Sequence, residues 1–383
     1  MEKHFGCSRF VYNHFLKEKQ DEYLNSKKSL TYKKCCEMLK NIKDGDYQWL
    51  KEVNSQTLQQ SIQNLETAYG NFFRKKSKFP IFKKKSNNQS FRVPQHIALK
   101  DDKIQVPKFR EGISINLHRK LEGELKSVTF SRTPSNKYFV SILCEVPKKT
   151  KEKTEKSIGI DLGITDFIVL SNGDKVKNPN FNRNSKKKLS LAQKHLSRKT
   201  KGSKRQQKQR VKVARIHEKI TNSRKDFQHK LSTKLINEYD LISLEDLAVK
   251  NMVKNHNLAY SISDSSWSSF VSMLEYKALW YGKNVIKIDR WYPSSKTCSN
   301  CDYIVDKLPL SVRHWKCSKC SCEHNRDVNA AKNILRQGLN VYSTERSLTN
   351  VEVEALGSKG DFGIETTVCE ALKKRSYVLR SKP

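Results

Sequence analysis

Four cysteines, Cys298, Cys301, Cys317 and Cys320, fall in the spacing C-x2-C-x15-C-x2-C. Each pair suits a tight knuckle, and four thiolates close a tetrahedron around Zn²⁺ with bonds of about 2.3 Å. With sulfur in every position no place remains for water, so this zinc is expected to be structural and not catalytic. Two unrelated cysteine pairs are the ordinary alternative. Cys322 and His324 read as bystanders. Cys7, Cys35, Cys36, Cys144 and Cys369 lack ligand spacing and read as buried small apolar residues.

The second group is acidic. Ser157-Ile-Gly-Ile-Asp-Leu-Gly163 reads as a strand, with Ile158, Ile160 and Leu162 on one face and Gly159, Asp161 and Gly163 on the other. A carboxylate between glycines is open to a metal and a phosphate. Asp240 to Asp246 is another strand candidate and carries Glu245 near its end, while Asp327 opens an expected helix. Three such carboxylates could converge on Mg²⁺ or Mn²⁺, hard ions that prefer oxygen and keep waters for a substrate phosphate. Two ions about 3.5–4 Å apart would activate a water and stabilise a departing 3′ oxygen. The ordinary readings are a turn acid at 161, a surface ion pair at 245 and an N-cap at 327. Spacing alone does not choose between them.

The elements that must hold these residues differ in composition. Residues 5–75 read as helical: Tyr32, Cys35, Cys36 and Leu39 form one apolar stripe, and Leu58, Ile62, Leu65, Tyr69 and Phe72 form another after a cap at Ser55. Asp44-Gly45 separates the two. Residues 74–92 carry eight Lys/Arg, no acid and three phenylalanines, a pattern that suits phosphates and unpaired bases as well as a solvated charge run. From about 86 to 150 the period becomes two, which suggests a small barrel. Asp166–Leu170, Asn172-Gly173 and Lys175–Lys177 read as a hairpin. Residues 183–235 hold 19 Lys/Arg against Glu218 and Asp226 and no proline, so long basic helices are expected, with a disordered arm as the alternative. Residues beyond about 340 show no sustained periodicity and are expected to carry little core.

The 383-residue chain has 75 Lys/Arg against 39 Asp/Glu, a net charge of +36 and a pI near 9.8. A polyanionic partner neutralises such self-repulsion, so nucleic acid is the leading partner class ahead of a solubility device or a membrane surface. Mean hydropathy is −0.75 and no 18-residue apolar run occurs, which argues against a membrane span. No secretory leader is evident, and ten cysteines in that context suit reduced thiols or metal ligands. The expectation is an intracellular, cytoplasmic protein.

Four motifs together resemble the TnpB family of transposon-encoded RNA-guided DNA endonucleases. They are Gly159-Ile-Asp-Leu-Gly163, Ser243-Leu-Glu-Asp-Leu247, Pro293-Ser-Ser-Lys-Thr-Cys-Ser-Asn-Cys301 and Arg326-Asp-Val-Asn-Ala-Ala331. The resemblance extends loosely from residue 8 to 340, with Arg9-Phe-Val-Tyr-Asn13 and Asn54-Ser-Gln-Thr-Leu-Gln59 in its N-terminal part. It implies an α/β RNase H-like (RuvC) nuclease domain at 153–337, interrupted by a four-cysteine zinc ribbon at 293–324. It further implies a helical recognition domain at 1–85, a β-barrel wedge domain at 86–152 and a disordered tail at 338–383.

On the same resemblance Asp161, Glu245 and Asp327 are the catalytic, magnesium-binding acids, and Cys298, Cys301, Cys317 and Cys320 the zinc ligands. The partners implied are a guide RNA from the transposon end and double-stranded target DNA, with pairing reading sequence and protein reading backbone shape. Arg74, Lys75, Lys76, Lys83, Lys84 and Lys85 in one basic block are the candidate nucleic-acid contacts, with Arg198, Lys199, Lys204, Arg205, Arg210 and Arg215 in the other. Three departures stand out. The chain opens at Met1-Glu-Lys-His-Phe5, directly at a helix, so a wedge strand is expected to be missing. Asp302 and Ser321 stand where the knuckles usually carry glycine, and Asn325 where an aspartate is frequent. Two further functions stay open: an RNA-guided DNA binder or repressor that does not cut, and a transposase that joins strands itself.

Overall fold

The computed structural model describes residues 1–147 and 150–356, which divide into two compact units at that gap. The expectations for residues 357–383, Cys369 included, lie outside the described residues.

The first unit begins with three helices, α1 (Glu2–Ser26), α2 (Tyr32–Asp44) and α3 (Ser55–Phe73). Their apolar stripes meet in one core, where Val11, Phe15, Leu16, Cys35, Leu50, Leu58, Ile62 and Leu65 are fully or almost fully buried. The cap of α3 is Asn54, one residue earlier than expected: its Oδ1 accepts the Gln56 N–H at 3.0 Å. Six strands follow: β1 (Gln89–Val93), β2 (Ala98–Lys100), β3 (Lys103–Val106), β4 (Phe109–Ser114), β5 (Glu124–Arg132) and β6 (Tyr138–Glu145). They are hydrogen-bonded as two three-stranded antiparallel ladders, β1-β5-β6 and β2-β3-β4, and not as one closed ladder. The alternation that suggested a barrel instead points two inner faces at each other, with Phe91, Ile104, Val106, Val128, Phe130 and Ile142 in a shared core.

The second unit is a mixed sheet between helices. Its strands are β7 (Ser157–Leu162), β8 (Asp166–Leu170), β9 (Lys175–Lys177), β10 (Leu241–Glu245) and β11 (Asn284–Ile288), in the order β11-β10-β7-β8-β9. β10 is parallel to both neighbours, and β7, β8 and β9 are successively antiparallel. The helices are α4 (Phe181–Ser197), α5 (Lys204–Glu238), α6 (Val249–Met252), α7 (His256–Ser265), α8 (Trp267–Tyr281) and α9 (Arg326–Leu356). Ile158, Ile160, Ile242 and Leu244 face Leu235 of α5 and Phe270 and Leu274 of α8 in one core.

The opposite face takes α9, and it does so through glycine. A Cβ on Gly159 would strike the Ala331 carbonyl oxygen and lie 2.7 Å from the Leu335 backbone nitrogen, while one on Gly338 would collide with the Ser243 side chain. Gly159 was expected to expose Asp161 to ligand; its immediate role is to let a helix backbone touch the sheet. The same packing corrects the expected tail, because α9 continues through 338 to Leu356.

Between β11 and α9 lies a ribbon formed by β12 (His314–Lys316) and β13 (Glu323–Asn325), an antiparallel pair with Trp315 opposite His324. Among the described residues no helix is long and apolar enough to cross a membrane.

Candidate functional site

Register brings the first two acids together. Leu244 pairs with Ile160 in the parallel ladder, so Glu245 and Asp161 continue on adjacent strands. Both lie on the face that carries Gly159 and Ser243, the face covered by α9. The third acid arrives with that helix. Ala331 lies over Gly159, and Asp327 is one helical turn earlier, as Asp161 is two residues further along the strand. Asn325 is the cap of α9, its Oδ1 accepting the Val328 N–H at 3.3 Å, which leaves the Asp327 carboxylate free of that task.

The electrostatics match this placement. Burial, then the charges of Glu245 and Asp327, push the Asp161 carboxyl up to about 7, against a smaller opposing pull from Arg326 and Arg313. Burial also raises Glu245, opposed by a hydrogen bond that the Ser294 hydroxyl donates to its Oε1. Arg313, just before β12, lies 3.0 Å from the Asp327 carboxylate. As a set the acids stand wider apart than the thiolates: among the described residues only the four cysteines bring three or more ligand atoms within 4.8 Å of one another. An all-oxygen group of mutually repelling carboxylates is a donor set for a hard divalent cation.

Cys298, Cys301, Cys317 and Cys320 form the tight cluster. Their sulfurs approach as pairs, 3.6 Å between Cys298 and Cys320 and 3.7 Å between Cys301 and Cys317. The Cys322 backbone N–H and the Asn300 amide draw the Cys320 thiol down to about 6, toward the ligating thiolate. This donor set fits zinc. Asp302 and Ser321 take φ of 61° and 58°, so both knuckles adopt the left-handed turn without glycine. His324, read as a bystander, places Nε2 3.0 Å from Cys298 Sγ and its ring against Trp315. It contacts Cys298 instead of standing apart from the cluster.

Several positioning residues escaped the sequence reading. Asn333, fully buried, donates to the backbone carbonyls of Ser294 and Thr297, and buried Asn329 donates to Thr297 O at 2.7 Å and accepts from Ser299 N at 2.9 Å. These two amides tie α9 to the segment that carries Ser294 and the first zinc knuckle. Asn329 lies inside a motif that was noted, and only its spatial partner gives it a role.

The basic candidates separate in kind. Arg198, Lys199, Lys204, Arg205, Arg210 and Arg215 are all exposed along α4 and α5, and α5 buries nothing before Ile220. Arg74, Lys75, Lys76, Lys84 and Lys85 are exposed too. Lys83 is engaged within its own unit: its ammonium lies 3.9 Å from the Tyr12 ring centroid, and Asn13 brackets its backbone N–H and carbonyl.

Comparison with known proteins gives concordant matches. Residues 141–256 match the family described as "Probable transposase" (OrfB_IS605), residues 267–334 a "Cas12f1-like, TNB domain", and residues 1–28 a helix-turn-helix domain, which here is the single helix α1. A Streptomyces pristinaespiralis protein named "Putative RNA-guided DNA endonuclease" is 43% identical over 340 residues, 88% of this chain and 84% of that one. Its Escherichia coli counterpart InsQ, of the same printed name, is 35% identical over 357 residues, 88% of each. The fold is similar to that of the solved Cas12f1–sgRNA–target DNA complex, with a TM-score of 0.56 at 16% identity over 87% of this chain and 81% of that one.

Proposed function

The chain belongs to the TnpB family of transposon-associated RNA-guided DNA endonucleases, and we propose that it hydrolyses DNA phosphodiester bonds at Asp161, Glu245 and Asp327 in a RuvC-like nuclease domain. The observation that carries this reading is the convergence of the three acids on the α9 face of the sheet, expressed in the raised proton affinity of Asp161. Asp161, Glu245 and Asp327 would hold Mg²⁺ or Mn²⁺, which supplies water activation and charge neutralisation at the departing 3′ oxygen. Ser294 orients Glu245 by its hydroxyl, and Asn333 fixes Ser294 from α9. Arg313 balances the charge of Asp327.

The cysteine cluster holds zinc as a structural staple that keeps the ribbon, and hence residues 293–324, in shape. A guide RNA from the transposon end pairs with one strand of double-stranded DNA, while the exposed cations of α4 and α5 follow the phosphate backbone. The helices of 1–85 serve as the recognition domain and the strands that follow as the wedge.

The test is cleavage by the purified protein–guide RNA complex on a plasmid carrying the matching target, with Mg²⁺. The wild type nicks or linearises the plasmid; Asp161→Ala does neither and still binds guide RNA. Binding without cutting by the wild type would favour the repressor reading. Joining of 3′ ends to target DNA would favour direct transposition.

A further inference from the structure

Trp291 stands 84% exposed, the most exposed of the large apolar side chains among the described residues. Its mount is not a loose loop. The Trp291 N–H donates to Asp289 Oδ1 at 2.7 Å, Tyr292 N–H to Asp289 O at 3.2 Å, and Ser294 N–H to Tyr292 O at 2.8 Å. Both ends of this turn are fastened to the end of β10, where the acids sit. Asp246 donates its N–H to Ile288 O at 3.1 Å, Arg290 pairs with the Asp246 carboxylate, and Ser294 bonds Glu245. Buried Asn333 holds the Ser294 carbonyl from behind. A tryptophan on a hydrogen-bonded turn therefore projects its indole into solvent, and that turn is fastened to the strand end that carries Glu245.

A free indole of this size is a cost in isolation. The whole chain carries a net charge of +36, so a polyanion is the partner class that would cover it. Of polyanions, only a nucleic acid with unpaired bases also presents flat apolar faces. An enzyme whose sequence choice is made by base pairing needs contacts near its reaction centre that accept any base, and stacking on a π-face meets that need.

We infer that Trp291 is a stacking platform for an unpaired base of the strand entering the acid site, holding the adjacent phosphate against Asp161, Glu245 and Asp327. The inference rests on the nuclease reading above and adds to it a substrate-contacting residue.

The test uses the assembled protein–guide RNA complex with Trp291→Ala and Trp291→Phe. On DNA already bound, the single-turnover cleavage rate falls about tenfold in the alanine variant and stays within about twofold of wild type in the phenylalanine variant. Zinc content and melting temperature stay as in wild type, because the side chain supports no core. In a second arm, 2-aminopurine is moved base by base through the unpaired strand, in an Asp161→Ala background. At one or two positions its fluorescence is quenched, and Trp291→Ala abolishes that quenching. Undiminished cleavage by Trp291→Ala, parallel loss of stability, or quenching indifferent to Trp291 would each overturn the proposal. If the wild type fails to cut at all, the nuclease reading falls, and the fluorescence arm still decides whether Trp291 stacks.

Discussion

A carboxyl that holds its proton up to about 7 is a residue working against the fold that contains it. The folded chain binds that proton more tightly than the unfolded chain, where an aspartate titrates near 3.8. The associated stability is present below the unfolded value and is lost as pH rises through about 7. At about pH 8, without divalent ions, the buried charge of Asp161 faces Glu245 and Asp327 with only the smaller opposing pull of Arg326 and Arg313. Asp161→Asn is therefore expected to melt several degrees above wild type at about pH 8, with a far smaller gap at about pH 4, near the unfolded value. Mg²⁺ or Mn²⁺ stabilises the wild type at the higher pH and leaves the variant almost unmoved. Calorimetry at the two pH values checks this, and an equal gap at both would remove the acid cluster as its cause. The four cysteines stood out by their spacing, whereas the three acids were singled out by the motifs that resemble the TnpB family, spacing alone having left them ambiguous. Ser294, Asn329, Asn333 and His324 were given no role. Each is an ordinary polar residue whose task comes from a partner 26 to 49 positions away.

At the scale of elements, the site is an outcome of how closely one helix can lie on one sheet. Gly159 is opposed by backbone, the Ala331 carbonyl and the Leu335 nitrogen, and neither can rotate away. Gly338 is opposed by the side chain of Ser243. Gly159→Ala is expected to lift α9, carry Asp327 away from Asp161 and abolish cleavage, with a melting-temperature loss larger than that of Gly338→Ala. Ser243→Gly should relieve much of the second defect and none of the first. Cleavage and melting of the four variants decide it; full activity in Gly159→Ala would mean that the helix position is not what assembles the acids. The sequence reading placed α2 and α3 from their apolar stripes and β7, β8, β9 and β10 from their patterns, but gave α1 no stripe of its own and did not place β12 or β13. It misread two glycines, taking Gly159 for an opening toward ligand and Gly338 for the start of a tail. Glycine in a pattern signals either freedom or proximity, and only the neighbouring element tells which.

At the scale of the molecule, charge decides what the fold can hold. Residues 183–235 place 19 cations along α4, α5 and the link between them; α4 buries no side chain and α5 none before Ile220. The part before Ile220 contributes almost nothing to a core, so its length and composition make sense as a surface for phosphate. The expected helices form and the alternative of a disordered arm does not: Ser203 Oγ caps α5 by accepting the Gln206 N–H, and Gln209 of α5 donates to the Ala192 carbonyl of α4 at 3.0 Å. Each phosphate contact releases bound counterions, so binding of target DNA by the guide-loaded protein should weaken linearly in log–log form as salt rises. Replacing Arg198, Lys199, Lys204, Arg205, Arg210 and Arg215 together by glutamine is expected to reduce the slope by about 4–5. The melting temperature should change little, since none of the six is buried. Lys83→Gln should leave the slope nearly unaltered, because that ammonium already rests on Tyr12. A titration from about 50 mM to about 200 mM salt measures both. An unchanged slope in the sixfold variant would assign the surplus charge to solubility and transfer the backbone contacts to the 74–92 block.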